Sequence, residues 1–214
     1  MDDTGHGIIR TVADYYSDKV RTHGATPRGV DWNDPDSQAL RFAQISRVLP
    51  ESGPFSVLDL GCGYGAYHDY LLATRGAGIS YLGLDIAAAM VDEARARHPG
   101  AAGARFEVGA HPGEVLDYAV ASGIFNVRQH HSDADWAAFM DDTIAMMDAV
   151  TRRGFAFNCL TTFSDAEYMQ ERLYYADPCA IFRQCKTRYS RNVALLHDYD
   201  LYEFTILVRK PDGP

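Results

Sequence analysis

Apolar residues recur along the chain in two rhythms, and their alternation predicts the fold class. Short apolar runs at Phe55–Leu60, Ile79–Asp85, Ala104–Val108, Tyr118–Ser122 and Gly154–Leu160 read as strands. Between them, helical spacing predicts helices over Tyr64–Thr74 and Ala87–His98. A longer helix opens at Ser132, which forms a capping pair with Asp135. Its residues Trp136, Phe139, Met140, Thr143, Met147 and Val150 fall at helical intervals. Two more helices precede the first strand, Thr11–Arg21 and Asp36–Leu49, separated by a Gly/Pro-rich loop from His23 to Trp32.

After the fifth strand comes an irregular, Tyr-rich stretch from Thr161 to Asp177 and a short helix to about Lys186. The last two runs, Asn192–His197 and Leu201–Val208, are separated only by Asp198, Tyr199 and Asp200, so they pair as an antiparallel hairpin. Strands alternating with helices imply a doubly wound α/β architecture. The expectation is a mostly parallel seven-stranded sheet with a C-terminal antiparallel hairpin. Residues 1–214 are read as one domain: 1–52 form an N-terminal helical cover, 53–214 the core, with a substrate insertion at about 161–187.

Composition narrows the function classes. The chain has 214 residues, 47% of them hydrophobic, and a formal net charge of −9. A nucleic-acid binder usually carries a basic stripe, and none is visible, so no nucleic-acid partner is expected. No apolar run is long enough to span a bilayer. The acidic start, Met-Asp-Asp-Thr-Gly-His-Gly, has no secretory pattern, and a cytoplasmic location is expected. The four cysteines lack metal-site spacing, so no metal is expected.

The chemistry concentrates in Val57-Leu58-Asp59-Leu60-Gly61-Cys62-Gly63-Tyr64-Gly65. Glycines leaving a strand and entering a helix let backbone amides approach a ligand closely. Asp85 ends the second strand, twenty residues after Gly65 (85 − 65), where an acid can accept hydrogen bonds from a ribose diol. A dinucleotide and S-adenosyl-L-methionine both use this geometry. Asp59, the two helices ahead of the motif and the terminal hairpin favour the second.

These residues resemble the class I S-adenosylmethionine-dependent methyltransferases, whose pattern Asp/Glu-x-Gly-x-Gly-x-Gly is matched by Asp59, Gly61, Gly63 and Gly65. The resemblance implies cofactor contacts at Asp59, Gly61, Cys62 and Gly63. It places the ribose on Asp85 and the adenine on Ile86 and Met90. The family often has Gly-Asp after the third strand; here the segment is Gly109-Ala110-His111, so Ala110 and His111 or their backbone stand in. Ser122, ending the fourth strand, joins the cofactor set.

Methyl transfer from a sulfonium is an in-line displacement, and a base is needed only if the nucleophile must lose a proton. Strand ends offer His197, His130 and Asn126 as catalytic candidates. Arg28, Trp32, Arg41, Asn158, Tyr174 and Tyr175 are candidates for the acceptor or the methionine carboxylate. The expected activity is O- or N-methylation of a small molecule, a natural-product or glycan precursor. A non-catalytic binder of the same cofactor and an NAD(P) oxidoreductase are the alternatives, and a homodimer is left open.

Overall fold

The computed structural model describes residues 3–30 and 34–211, without the side chains of 3, 4, 27 and 28. Its strands are β1 (Phe55–Leu60), β2 (Ile79–Asp85), β3 (Ala104–Val108), β4 (Leu116–Ala121), β5 (Thr151–Leu160), β6 (Asn192–Leu196) and β7 (Glu203–Arg209). They form one sheet in the order β3-β2-β1-β4-β5-β7-β6. β1 to β5 run parallel, and β7 is antiparallel to both its neighbours. The hairpin does not simply extend the sheet by an antiparallel edge. β7 inserts beside β5, and β6 takes the edge, parallel to the rest. The hairpin connection spans residues 197–202, longer than the spacing of apolar runs predicts, and Asp200 takes a left-handed φ of 53°.

The helices are α1 (Asp3–His23), α2 (Pro35–Ile45), α3 (Ala66–Arg75), α4 (Ala88–Arg97), α5 (Asp133–Ala149) and α6 (Pro178–Arg188). Three start at side-chain caps of the expected kind. The Asp34 carboxylate accepts from Ser37 N at 2.8 Å, Ser132 Oγ accepts from Asp135 N at 3.1 Å, and Asp177 accepts from Cys179 N at 2.8 Å. α1 begins eight residues earlier than its apolar spacing predicts, because its first turns (Ile8, Val12) bury against the sheet layer.

Strand periodicity divides the core into two layers. Leu58, Leu60, Leu82 and Leu84 point to one face, against Trp136, Met140 and Ile144 of α5. Val57, Tyr81 and Val120 point to the other, against Phe42 and Ile45 of α2 and Tyr67 and Leu71 of α3. Both faces are covered, which is why these strands read as continuous apolar runs rather than alternating ones. Among the described residues no helix is long and apolar enough to cross a membrane.

A buried polar network ties the N-terminal helices to this sheet. Arg41 on α2 binds the Glu203 carboxylate of β7 through Nη2 at 2.7 Å and Nε at 2.9 Å. Asn158 of β5 donates its Nδ2 to Glu203 Oε2 at 3.0 Å and accepts from Gly123 N at 2.7 Å. Removing one partner of a buried pair leaves the other charge uncompensated. Glu203→Leu should therefore cost about 3–5 kcal/mol in urea denaturation, and the double substitution Arg41→Met/Glu203→Leu should recover most of that. Equal losses in the single and double variants would contradict this account.

Candidate functional site

The site grows from the carboxyl ends of β1 and β2. At the turn after β1, Gly61 N and Cys62 N both donate to Leu84 O, at 2.7 and 2.9 Å. This locks the glycine turn to the neighbouring strand. Gly61 has φ 77°, and a Cβ there would lie 2.2 Å from Ile124 Cγ2, so only glycine fits.

Two acids face this turn. Asp85 Oδ2 accepts from Gly63 N at 2.9 Å and Oδ1 from Ala87 N at 2.8 Å. Burial raises its pKa to about 6 despite those donors. Asp59 is 3% exposed and accepts from Tyr81 Oη at 2.5 Å. Burial first, and then the nearby Asp85 charge, push it up to about 7, against the lowering effect of the Tyr81 hydroxyl.

A cavity of about 330 Å³ opens at these acids. Asp59, Gly61, Cys62, Gly63 and Asp85 line one part of it; Ile86, Met90, Ala110, His111 and Ser122 line another. Sequence reasoning missed the rest of its wall. Ile9, Val12 and Tyr16 of α1 close one side, and Phe139 and Thr143 of α5 another. The signal for α1 was present, since these residues recur at i, i+3 and i+7. Gln38, bonded to Tyr64 Oη at 3.2 Å, brings α2 to the cavity, and no motif announces that contact.

A second cavity of about 610 Å³ adjoins the first and shares Tyr16, Val30 and Gly123 with it. Arg41, Asn126 and Tyr175 line it, together with Glu203, Arg172 and His23.

The structure corrects several of the individual residue expectations. His197 follows the edge strand β6, is exposed, and packs its ring near Phe163 and Phe204, away from both cavities. His130 is exposed and stacks on His131 at 4.6 Å. It likewise lies outside the lining. Asn158 is wholly buried and serves the Arg41–Glu203 network rather than a ligand. Asn126 lines the second cavity, but its Oδ1 accepts from Leu160 N at 3.0 Å, a strand-end role. Arg41 also reaches that cavity with its guanidinium committed to Glu203, so it is not available to a methionine carboxylate. Tyr174 packs on the core instead of the cavity. Trp32 and the Arg28 side chain lie outside the described residues. His23, at the end of α1, is the only histidine in the second cavity's lining among the described residues, and nothing in its sequence context distinguished it.

Sheet order and glycine turn together define a doubly wound α/β protein, a class that binds ligands at the carboxyl ends of its strands. Comparison with known proteins is specific. The methyltransferase domain family matches residues 57–150. "Putative methyltransferase Rv1506c" of Mycobacterium tuberculosis is 56% identical over 164 residues, 77% of this chain and 98% of its own length. Magnesium protoporphyrin IX methyltransferase (ChlM) from Synechocystis PCC 6803, solved with bound SAH, superposes with a TM-score of 0.64 at 16% identity, over 94% of this chain and 99% of that one. Haemonchus contortus phosphoethanolamine N-methyltransferase 1, in complex with phosphoethanolamine and S-adenosylhomocysteine, gives 0.63 at 13% identity, over 100% of this chain and 53% of that one. The chain belongs to the class I S-adenosylmethionine-dependent methyltransferases.

The buried acids have a consequence for stability. Asp59 has a raised folded-state pKa, so between about pH 4 and 7 the native state holds a proton that the unfolded chain has released. Its contribution therefore improves as pH falls through that window. Asp59→Asn, still able to accept from Tyr81, should be more stable than wild type at pH 7.5. That advantage should shrink by up to about 1.4 kcal/mol per pH unit on acidification. Denaturant titrations at several pH values check this; a gap independent of pH would contradict it.

Proposed function

We propose that the chain transfers a methyl group from S-adenosyl-L-methionine in the first cavity to an oxygen or nitrogen of a small molecule in the second. The observation that carries this reading is the junction of the two cavities at Tyr16, Val30 and Gly123. A donor on one side and an acceptor on the other would meet there, and alignment is the main catalytic need of a displacement.

The residues present fit the cofactor. Gly63 has φ 52°, and a Cβ there would come within 3.2 Å of Val30 Cγ1, so the turn favours glycine. Asp85 uses one bond per oxygen internally, and a carboxylate has about four acceptor positions, leaving capacity for two ribose hydroxyls. Ile86, Met90 and Phe139 offer an apolar slot for a purine, flanked by Ala110 and His111. When bound, S-adenosylmethionine supplies the sulfonium-activated methyl group. Asp59 supplies negative charge behind the turn and, through Tyr81, a fixed orientation. The side of residues 1–52 is read as cover and the segment 161–187 as acceptor wall of a single domain.

His23 replaces His197 and His130 as the candidate base, since it lines the second cavity. A small-molecule acceptor is supported by the size of the second cavity, about 610 Å³, and by the phosphoethanolamine bound to the Haemonchus enzyme.

Calorimetric titration with S-adenosylhomocysteine tests the donor site. Affinity should fall as pH drops below about 6, where Asp85 takes up a proton and loses acceptor capacity. Asp85→Asn should weaken binding roughly 10- to 100-fold at pH 7.5. Binding of NADH with no binding of S-adenosylhomocysteine would overturn the reading.

A further inference from the structure

The charged lining of the second cavity is one-sided. Its only carboxylate among the described residues is Glu203, whose oxygens are taken by Arg41 and Asn158. Arg41 and Glu203 neutralise each other. The other charged side chains in the wall are Lys19 and Arg172, both basic. This cationic lining sits in a chain whose net charge is −9.

Arg172 is held in place by neutral groups. Its Nη1 donates to Tyr15 Oη at 3.0 Å and its Nε to Gln170 Oε1 at 3.2 Å. Its carbonyl accepts from Gln129 N at 2.9 Å, which fixes the backbone. The guanidinium is half-buried, and among the described residues no carboxylate pairs with it. The same tyrosine that holds Arg172 by its hydroxyl lies under Lys19, whose Nζ is 5.4 Å from the Tyr15 ring centroid. One aromatic side chain thus positions two cations at one wall. A half-buried cation organised by neutral hydrogen bonds is set up for an external anion, and a guanidinium matches carboxylate and phosphate oxygens geometrically.

We infer that the acceptor carries an anionic group, a carboxylate or a phosphate, which binds Arg172 in the second cavity with Lys19 beside it. This rests on reading the second cavity as the acceptor site. The anion lies at the Arg172 wall, and the atom to be methylated lies toward Tyr16 and Gly123. Arg172 is then a specificity residue: it selects the acceptor by charge and anchors it away from the reacting atom.

The test uses matched pairs, benzoate against benzamide and glucose 6-phosphate against glucose, titrated into protein saturated with S-adenosylhomocysteine at fixed ionic strength. At least one acid should bind about ten-fold or more tighter than its neutral partner. The pair that shows the preference distinguishes carboxylate from phosphate. In Arg172→Gln the preference should drop below about two-fold, with S-adenosylhomocysteine affinity and melting temperature retained. If Arg172→Gln does not fold, Tyr15→Phe, which removes the hydroxyl that holds Arg172, should show a smaller loss of the same preference. Equal binding of acid and neutral partner, no binding by either acid, or a preference unchanged in the variant that folds overturns the inference. Failure of wild type to bind S-adenosylhomocysteine would instead sink the reading of the donor site.

Discussion

The bidentate pair of Arg41 with Glu203 is the constraint on which the site's architecture depends. A charged pair this deep is favourable only with its geometry fixed and its remaining lone pairs satisfied. Asn158 completes that requirement from β5 and passes it on to Gly123, at the shared wall of the two cavities. One network therefore sets where α2 sits on the sheet and where the loop after β4 begins. Apolar contacts alone, such as Phe42 and Ile45 against Tyr67 and Val57, would hold α2 down without choosing its register so narrowly.

The donor end of the site shows the opposite economy. Asp59 and Asp85 are buried close together, at a standing cost to the folded state at neutral pH. A core of this kind is more stable with neutral groups there, so these acids are better explained by ligand than by fold. Local rules broken at a binding site and obeyed elsewhere are the usual mark of function.

Much of the sheet was legible in the sequence because strands buried on both faces leave continuous apolar runs, and β1, β2 and β3 match their expected bounds. The residues proposed to hold the donor stand out in the sequence for a related reason. They occupy a single strand–turn–helix unit, Asp59 to Gly65, and one strand end, Asp85, so sequence spacing encodes their geometry. The second cavity is assembled from α1, α2, β7 and the stretch after β5, and no spacing rule connects residues so far apart. His197 and His130 illustrate the error. Both stand near strand ends, yet β6 is carried to the sheet's edge by the insertion of β7, and His130 turns outward to stack on His131. Asn158 and Arg41 were expected to meet the acceptor or the methionine carboxylate, but they bind Glu203, 45 and 162 residues away respectively, and only the fold reveals that partner.

The placement of β7 between β5 and β6 also orders events in time. A ribosome delivers Arg41 early and Glu203 only after a further 162 residues, so their pair cannot form until nearly the whole chain has been made. Such long-range pairing is closed late in folding. The donor turn, built from neighbouring elements, can form while the C-terminal strands are still missing. The second cavity, which has Glu203 and Tyr202 in its wall, cannot. The second cavity is therefore complete only once the last strand has slotted into the sheet.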